Sequence, residues 1–482
     1  MAAVQFETDD QELTQLLKQI NARKSEHMFD PTLDRMRAAV ALLGHPELCY
    51  QVIHVAGTNG KTSTARIAEA LLRARGMRTG LLTSPPLTDP RDRIALDGAR
   101  IGTEQLADAW RELRPVAQMV DAESLQAGGN PLGLFEIWTL LGLTAFADAP
   151  VDAAVIEVGM GGSWDATNVV DSQVQVVTPI ALDHQGWLGE GIESIAAEKA
   201  GIIESVAVIA RQSPAALRVL REAARDKGAR VLLEDAAFGV MDREDTPDGQ
   251  VVTLHGLEGV YGPMFLPLRG AHQAHNAATG LAAVEALGLV SAAQTAPSNW
   301  PAPLPDPVSR TDQGPAPPEE ARLVADGLAG VRVAGRLEIV RRAPLVLIDA
   351  AHNPAGASVL AEAIQDGPFP RLIGLVGVLG DKDAEGILGA LEPVVVSVVI
   401  TRSSSPRAMD PDRLGELARE VFGPDRVRVT AALDQALIEA IELADEDTGS
   451  GPVARGTGVL ATGSVTVAGE VRRLLAPDDA DR

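Results

Sequence analysis

The chain has 482 residues, 46% of them hydrophobic and 22% charged, and carries a net charge of −24. That acidity repels nucleic acids and anionic membranes at long range, which argues against both as partners. Any bound polyanion must be held by local donors or by a metal ion. A single hydrophobic core stops growing at roughly 250–300 residues, so two domains are expected. Cys49 is the only cysteine, so no intrachain disulfide can form and a reducing compartment is expected. Met1 to Glu12 is polar and acidic, unlike a signal peptide, and the apolar run Pro393–Ile400 is too short to span a bilayer. These features predict a cytoplasmic protein.

Along the chain, Gln51–Val55 reads as a strand that runs into Gly57-Thr58-Asn59-Gly60-Lys61-Thr62 and then a helical pattern. A strand, a glycine loop and a helix aim backbone N–H groups and the helix's positive end at one spot, where a polyphosphate fits. Lys61 would reach the terminal phosphates, and the Thr62 hydroxyl would face Mg²⁺. The strict phosphate-loop pattern is missed, because valine occupies its first glycine position at Val55.

Thr79–Thr83 is a second predicted strand, followed by Ser84-Pro85-Pro86, and Leu106–Met119 and Phe135–Phe146 are helical. Ala153–Val158 is a strand with Glu157 where a phosphate-loop enzyme keeps its magnesium-holding acid. Val174–Thr178 is a strand that leads to Asp183-His184. Ligands bind beyond the carboxyl ends of parallel strands, so Ser84, Glu157 and His184 are expected to converge on one metal. The helix Ile192–Ile202 carries Lys199 beside Glu198, and on sequence alone such a lysine faces solvent.

Trp300–Glu320 is rich in proline without hydrophobic periodicity and predicts a linker or surface excursion. Beyond it, strands are predicted at Leu345–Ile348, Leu372–Val378, Val394–Ile400, Val427–Val429 and Val459–Ala461. The helices Ala355–Ile364 and Asp434–Ala444 lie between them. Strands separated by helices predict parallel sheets, in two α/β domains spanning 1–325 and 326–482. Asp349 and His352 follow the Leu345–Ile348 strand and are candidates for ligand contact. Asn353 reads as a helix N-cap before Pro354. Arg336, just past the linker, is placed either to close onto phosphates or to form a surface ion pair. Ala461–Thr466 is a strand-to-glycine turn facing the same cleft.

Several separated motifs together resemble the folylpolyglutamate synthase/dihydrofolate synthase family of the Mur ligase superfamily. They include Gly57–Thr62, Phe135-Glu136, Glu157–Gly162, Asp165–Asn168, Ala181–His184, Glu198–Ile202, His275–Ala278, Gly335-Arg336, Asp349–Pro354 and Gly380–Asp383. The resemblance spans roughly Lys24 to Arg472. It implies an N-terminal phosphate-loop ATPase domain with a mainly parallel sheet and a C-terminal Rossmann-like α/β domain. It also implies ATP-dependent joining of L-glutamate to dihydropteroate or folates through an acyl phosphate.

By that resemblance Thr58, Asn59, Gly60, Lys61 and Thr62 cradle ATP, with Asn276, Arg336 and Asp349 completing its site. Ser84, Glu157 and His184 hold one or two Mg²⁺ ions, and a monovalent cation is a further expectation. Lys199 matches a lysine that is carbamylated in the family, and His352 falls where glutamate and nucleotide are handled. The pterin pocket would draw on Arg23, Lys24, Ser25 and Glu26, on Gly133, Leu134, Phe135 and Glu136, and on Trp164, Asp165 and Ala166. Pro86, Ser163 and Gly186 depart from common family residues on the folate side. Three alternatives stay open: polyglutamylation without dihydropteroate activity, a regulatory phosphate-loop ATPase, and a cell-wall ligase acting on UDP-linked substrates. A monomer is expected, because no apolar surface stripe stands out.

Overall fold

The computed structural model describes residues 2–23, 31–295, 314–369, 371–446 and 456–475. Its first unit is built on an eight-stranded sheet. Six strands pair in parallel, in the order Thr79–Leu82, Ala153–Glu157, Gln51–Ala56, Val174–Val177, Val206–Ile209 and Arg230–Leu233. Ile94–Leu96 and Ala99–Arg100 extend one edge as an antiparallel hairpin.

The central strand Gln51–Ala56 is apolar on both faces because both faces are covered. Ile53 and Val55 pack with Leu71 and Leu281 from the helices Lys61–Ala74 and Ala271–Thr295. Val52 points the other way, into a core with Trp138 and Leu140 from the helix Leu134–Asp148. Successive strand residues alternate faces, so this single strand supports two helical layers.

A separate three-stranded antiparallel sheet, formed by Gly239–Thr246, Gly249–His255 and Val260–Leu266, had no counterpart among the predicted elements. Its first hairpin turns at Pro247-Asp248, so the Pro-Asp-Gly signature that marks such a turn was present in the sequence.

The second unit is a six-stranded sheet, parallel except at the edge strand Glu338–Arg342. The predicted strand at Leu345–Ile348 is found with those bounds, and the remaining predicted strands are present within two or three residues. The expected boundary at 325/326 falls inside the helix Pro318–Ala329, which packs on the first unit. A Cβ at Gly327 would lie 3.0 Å from Leu71 and 3.2 Å from Ala74. The chain therefore crosses between sheets after that helix. Positions 300–313 of the proline-rich stretch lie outside the described residues.

The two units meet closely. Gly469, on the helix Val465–Leu475, has no room for a side chain, because a Cβ there would sit 2.0 Å from the Leu87 carbonyl oxygen. Among the described residues, no helix is long and apolar enough to cross a membrane.

Candidate active site

The carboxyl ends of four neighbouring parallel strands build one wall of a cleft. Gln51–Ala56 delivers the Gly57–Thr62 loop, whose close approach requires glycine at two points. At Gly57 (φ 141°) a Cβ would lie 1.8 Å from Thr178 Oγ1, and at Gly60 (φ 87°) it would lie 2.6 Å from Asn276 Oδ1. The loop is pinned from the next strand, where Pro179 O accepts from Thr58 N (3.0 Å) and Asn59 N (3.2 Å). Thr58 Oγ1 also donates to Ala181 O at 3.1 Å.

Lys61 opens the helix Lys61–Ala74, and its ammonium donates to Thr58 O at 3.1 Å. Burial pulls the Lys61 pKa down, while Glu157 and Asp183 push it back up. Thr62 Oγ1 donates to the Glu157 carboxylate, at 2.9 and 3.0 Å from its two oxygens, and Ser84 N donates to Glu157 Oε2 at 3.3 Å. Glu157 is buried, which raises its pKa, and Lys61 and the Thr62 hydroxyl oppose that rise. Asn276 Oδ1 accepts from Thr64 Oγ1 at 3.4 Å beside the same loop.

The opposite wall comes from the second unit. Asp349 ends the strand Leu345–Ile348, and its two oxygens accept from Leu337 N and Ala351 N, both at 2.8 Å. It thereby shapes the turn that carries Arg336. Burial raises the Asp349 pKa, with the Arg336 charge opposing.

Asp183 joins the walls. Its carboxylate pairs with the Lys382 ammonium, accepts from Asn353 Nδ2 at 3.1 Å and lies 3.4 Å from His352 Nε2. Asn59 and Asn353 exchange amide hydrogen bonds at 3.1 and 3.2 Å. Asn353 also caps the helix Pro354–Asp366, donating nothing to it but accepting from Gly356 N at 2.8 Å. The capping role expected for Asn353 is therefore real and incomplete. Burial works against ionisation of Asp183, yet His352, His184 and Lys382 hold its pKa well below the usual carboxylate range. Neither Asp183 nor Lys382 was singled out as a site residue. Lys382 lies in the Gly380–Asp383 motif, but nothing local ties it to a carboxylate nearly two hundred positions earlier.

Among the expected metal ligands, Ser84 and Glu157 lie together with Thr62. His184 joins the other cluster, with Nε2 3.4 Å from Lys382 Nζ and 3.8 Å from Asp183 Oδ2. Burial lowers the His184 pKa to about 4, so its ring is neutral at pH 7. No group of three or more His, Cys, Asp or Glu side chains forms a metal cage among the described residues. Glu157 and two neighbouring hydroxyls nonetheless form a hard-oxygen donor set that fits Mg²⁺, which keeps several of its own waters.

Lys199 is not on a solvated face. It is 4% exposed, and burial, reinforced by the Lys61 charge, lowers its pKa to about 7.

On the expected pterin side, several polar groups are already used by the protein. Glu136 accepts from Arg35 Nε at 3.2 Å and from Gly133 N at 2.7 Å, forming a buried ion pair and a helix cap. Asp165 accepts from Met160 N (2.8 Å) and from Thr167 N (3.0 Å) and Oγ1 (2.6 Å). Those contacts fix the 159–167 loop and with it Trp164 and Ala166. The Phe135 ring lies against Gly159, where a Cβ would come within 2.5 Å of it, and Leu134 opens the same helix. Arg23 donates to Asp121 at 2.6 Å and to Leu132 O at 3.4 Å, next to Gly133. Lys24, Ser25 and Glu26 lie outside the described residues.

Two family models match this chain: the Mur ligase middle domain over residues 129–284 and the Mur ligase glutamate ligase domain over 335–464. A Mycobacterium tuberculosis protein named dihydrofolate synthase/folylpolyglutamate synthase is 45% identical, covering 97% of this chain and 94% of its own. The chain belongs to the dihydrofolate synthase/folylpolyglutamate synthase family. A second family member, from Escherichia coli, is 33% identical over 80% of this chain and 81% of its own. The family fold is equally clear. The structure of the M. tuberculosis folylpolyglutamate synthase complexed with ADP matches with a TM-score of 0.87 at 44% identity, covering 98% and 99% of the two chains. An E. coli family member in complex with DHPP and ADP matches with a TM-score of 0.76 at 28% identity, covering 97% and 98%.

Proposed function

We infer that this chain is an ATP-dependent ligase that joins L-glutamate to dihydropteroate and to reduced folates, serving both steps. The observation that carries this reading is the meeting of the Lys61–Glu157 phosphate cradle with the Arg336–Asp349 turn across one cleft, in a chain that covers 94% of the M. tuberculosis relative. Regulatory ATPase activity alone would leave the second unit's contacts with the cradle without a task.

A carboxylate oxygen of the pterin substrate attacks the γ-phosphorus of ATP, and ADP leaves. The glutamate nitrogen then attacks the acyl carbon, the C–O bond to phosphate breaks, and phosphate departs. Such transfer depends mainly on positioning and charge neutralisation. Lys61 and the loop N–H groups supply both at the phosphates, while Asn276, Arg336 and Asp349 hold the nucleotide from two sides. Glu157, Thr62 and Ser84 would hold Mg²⁺, with His184 a more distant candidate, and the ion would neutralise phosphate charge. His352, held between Ala350 O at 2.9 Å and the Asp183 carboxylate at 3.4 Å, would line the glutamate side of the cleft, and glutamate's ammonium would lose its proton to solvent before the attack. Closure through Asp183 keeps water from the acyl phosphate.

Lys199 is suited to carbamylation, because an amine with its pKa near 7 is about half unprotonated at neutral pH and free to attack CO₂, releasing one proton. Labelled-CO₂ carbon NMR tests this, and absence of a carbamate resonance would remove it. We read the enzyme as a cytoplasmic monomer, because both walls of the cleft come from one chain.

The deciding experiment assays purified protein with MgATP and glutamate on dihydropteroate and tetrahydrofolate in parallel. Glutamate-dependent phosphate release on both is expected. Activity on tetrahydrofolate alone would restrict the enzyme to polyglutamylation, and activity on neither would overturn the reading. Glu157→Gln is expected to raise the Mg²⁺ concentration needed for half-maximal rate by about tenfold or more. An unchanged Mg²⁺ titration would remove Glu157 from the metal site.

A further inference from the structure

Beyond the nucleotide site, with which it shares Thr62 and Arg336, the cleft continues. From Thr62, Thr83 and Pro85 at the phosphate cradle, a cavity of about 760 Å³ extends away between the two units. Its volume lies in the upper part of the ~300–1,000 Å³ range of small-molecule sites, more than one amino acid needs. Eight arginines and no lysine line it, against four acids. This occurs in a chain whose net charge is −24.

The four acids are already taken. Glu69 pairs with Arg73 at 2.8 Å, Asp92 with Arg100 at 2.8 Å, Glu338 with Arg472 at 3.1 Å and Asp248 with Arg342 at 4.0 Å. The other four arginines have no carboxylate within ion-pair distance among the described residues. Arg269 donates only to Pro247 O at 2.9 Å, and Arg332 only to Ala329 O (3.2 Å) and Val331 O (2.8 Å). Arg66 and Arg336 donate to no described side chain or carbonyl. Guanidinium groups match carboxylates in bidentate geometry, and guanidinium groups outside any ion pair around one cavity suit a ligand with several anionic groups.

We propose that this cavity is a subsite for the oligo-γ-glutamyl tail of already elongated substrate, whose successive α-carboxylates lie on Arg66, Arg269 and Arg332, while Arg336 stays with the nucleotide. The proposal rests on the ligase reading above and adds a basis for chain-length preference. The first glutamate transfer needs no such tail. Each later round adds one carboxylate and so one more contact for the cavity.

Arg269 and Arg332 are the residues to test, because both stand apart from the nucleotide and metal groups. Kinetics would compare dihydropteroate with mono- and tetraglutamyl tetrahydrofolate, using wild type, an Arg269→Gln/Arg332→Gln double variant and an Arg269→Lys/Arg332→Lys double variant. Wild type is expected to show a lower KM for the tetraglutamyl than for the monoglutamyl substrate. The Gln variant should raise the tetraglutamyl KM by about tenfold, the equivalent of two half-exposed ion pairs, with kcat and all dihydropteroate parameters within about twofold. The Lys variant should retain most of the preference. A wild type without the preference, a Gln variant that keeps it, or an equal loss on every substrate would overturn the proposal. Calorimetric titration with free tetra-γ-glutamate reads the subsite without turnover. Binding weakened by the Gln variant supports it even if every folate proves inactive, and no binding to wild type overturns it.

Discussion

The contact between Asp183 and Lys382 should govern closure of the cleft. Both side chains are nearly inaccessible, at 7% and 6% exposure, and they belong to different units. Asp183→Asn keeps the shape but leaves the Lys382 ammonium buried without its counter-charge. Breaking one partner of a buried ion pair costs roughly 3–5 kcal/mol. Each partner is anchored in its own unit, so the loss falls on docking of the units, not on either core. A loss of about 3 kcal/mol shifts the closed-to-open ratio by about a hundredfold, and kcat/KM for glutamate should fall by a similar factor. The assay is a double-mutant cycle with Lys382→Met, read by kcat/KM and by small-angle scattering. Coupling above about 1.5 kcal/mol and a larger radius of gyration in each variant are expected. Additive effects, with coupling below about 0.5 kcal/mol, would refute the reasoning. Because the Asp183 pKa is depressed, its contribution is fully present above the unfolded value near 3.9 and fades only in strong acid. Closure should therefore be insensitive to pH across the neutral range.

Three further outcomes follow from the site and its supports. Gly60→Ala forces a Cβ onto Asn276 at a positive φ, so ADP affinity by calorimetry should drop at least about tenfold while far-UV dichroism is unchanged. Unchanged affinity would show that the loop relaxes freely. In CO₂-free buffer, Lys199 releases its proton near pH 7 when folded but near 10.4 when unfolded, so its share of stability rises with pH between those values. Denaturant melts at pH 7 and 9.5 should show a steeper rise for wild type than for Lys199→Met, and equal slopes would contradict the buried amine. Arg35→Met removes the counter-charge of the buried Glu136 carboxylate and should cost about 3–5 kcal/mol, measured by urea denaturation. A loss under about 1 kcal/mol would mean that the pair is solvated.

Much of the fold was legible in local pattern. Apolar runs such as Ala153–Glu157 and Leu345–Ile348 are buried on both faces, and that requirement is written residue by residue. The antiparallel sheet was harder to see. Gly239–Thr246 is largely polar, with Asp242, Arg243, Glu244 and Asp245 in succession, because only part of it meets the core. Lys199 was misjudged for a related reason: a helical lysine reads as surface until one knows what packs over that helix.

The sequence by itself determined the phosphate cradle, since glycines at 57 and 60, Lys61 and Thr62 act through backbone geometry within a few residues. It also determined the family, since the motifs that carry the resemblance are short and local. Only the tertiary structure decided that Asp183 meets Lys382, that Asn59 meets Asn353, and that His184 turns toward that junction. It likewise decided that four arginines from three separate segments share one cavity with no ion-pair partner among the described residues. Charge pairing depends on distance in space, and chain separation carries no trace of it.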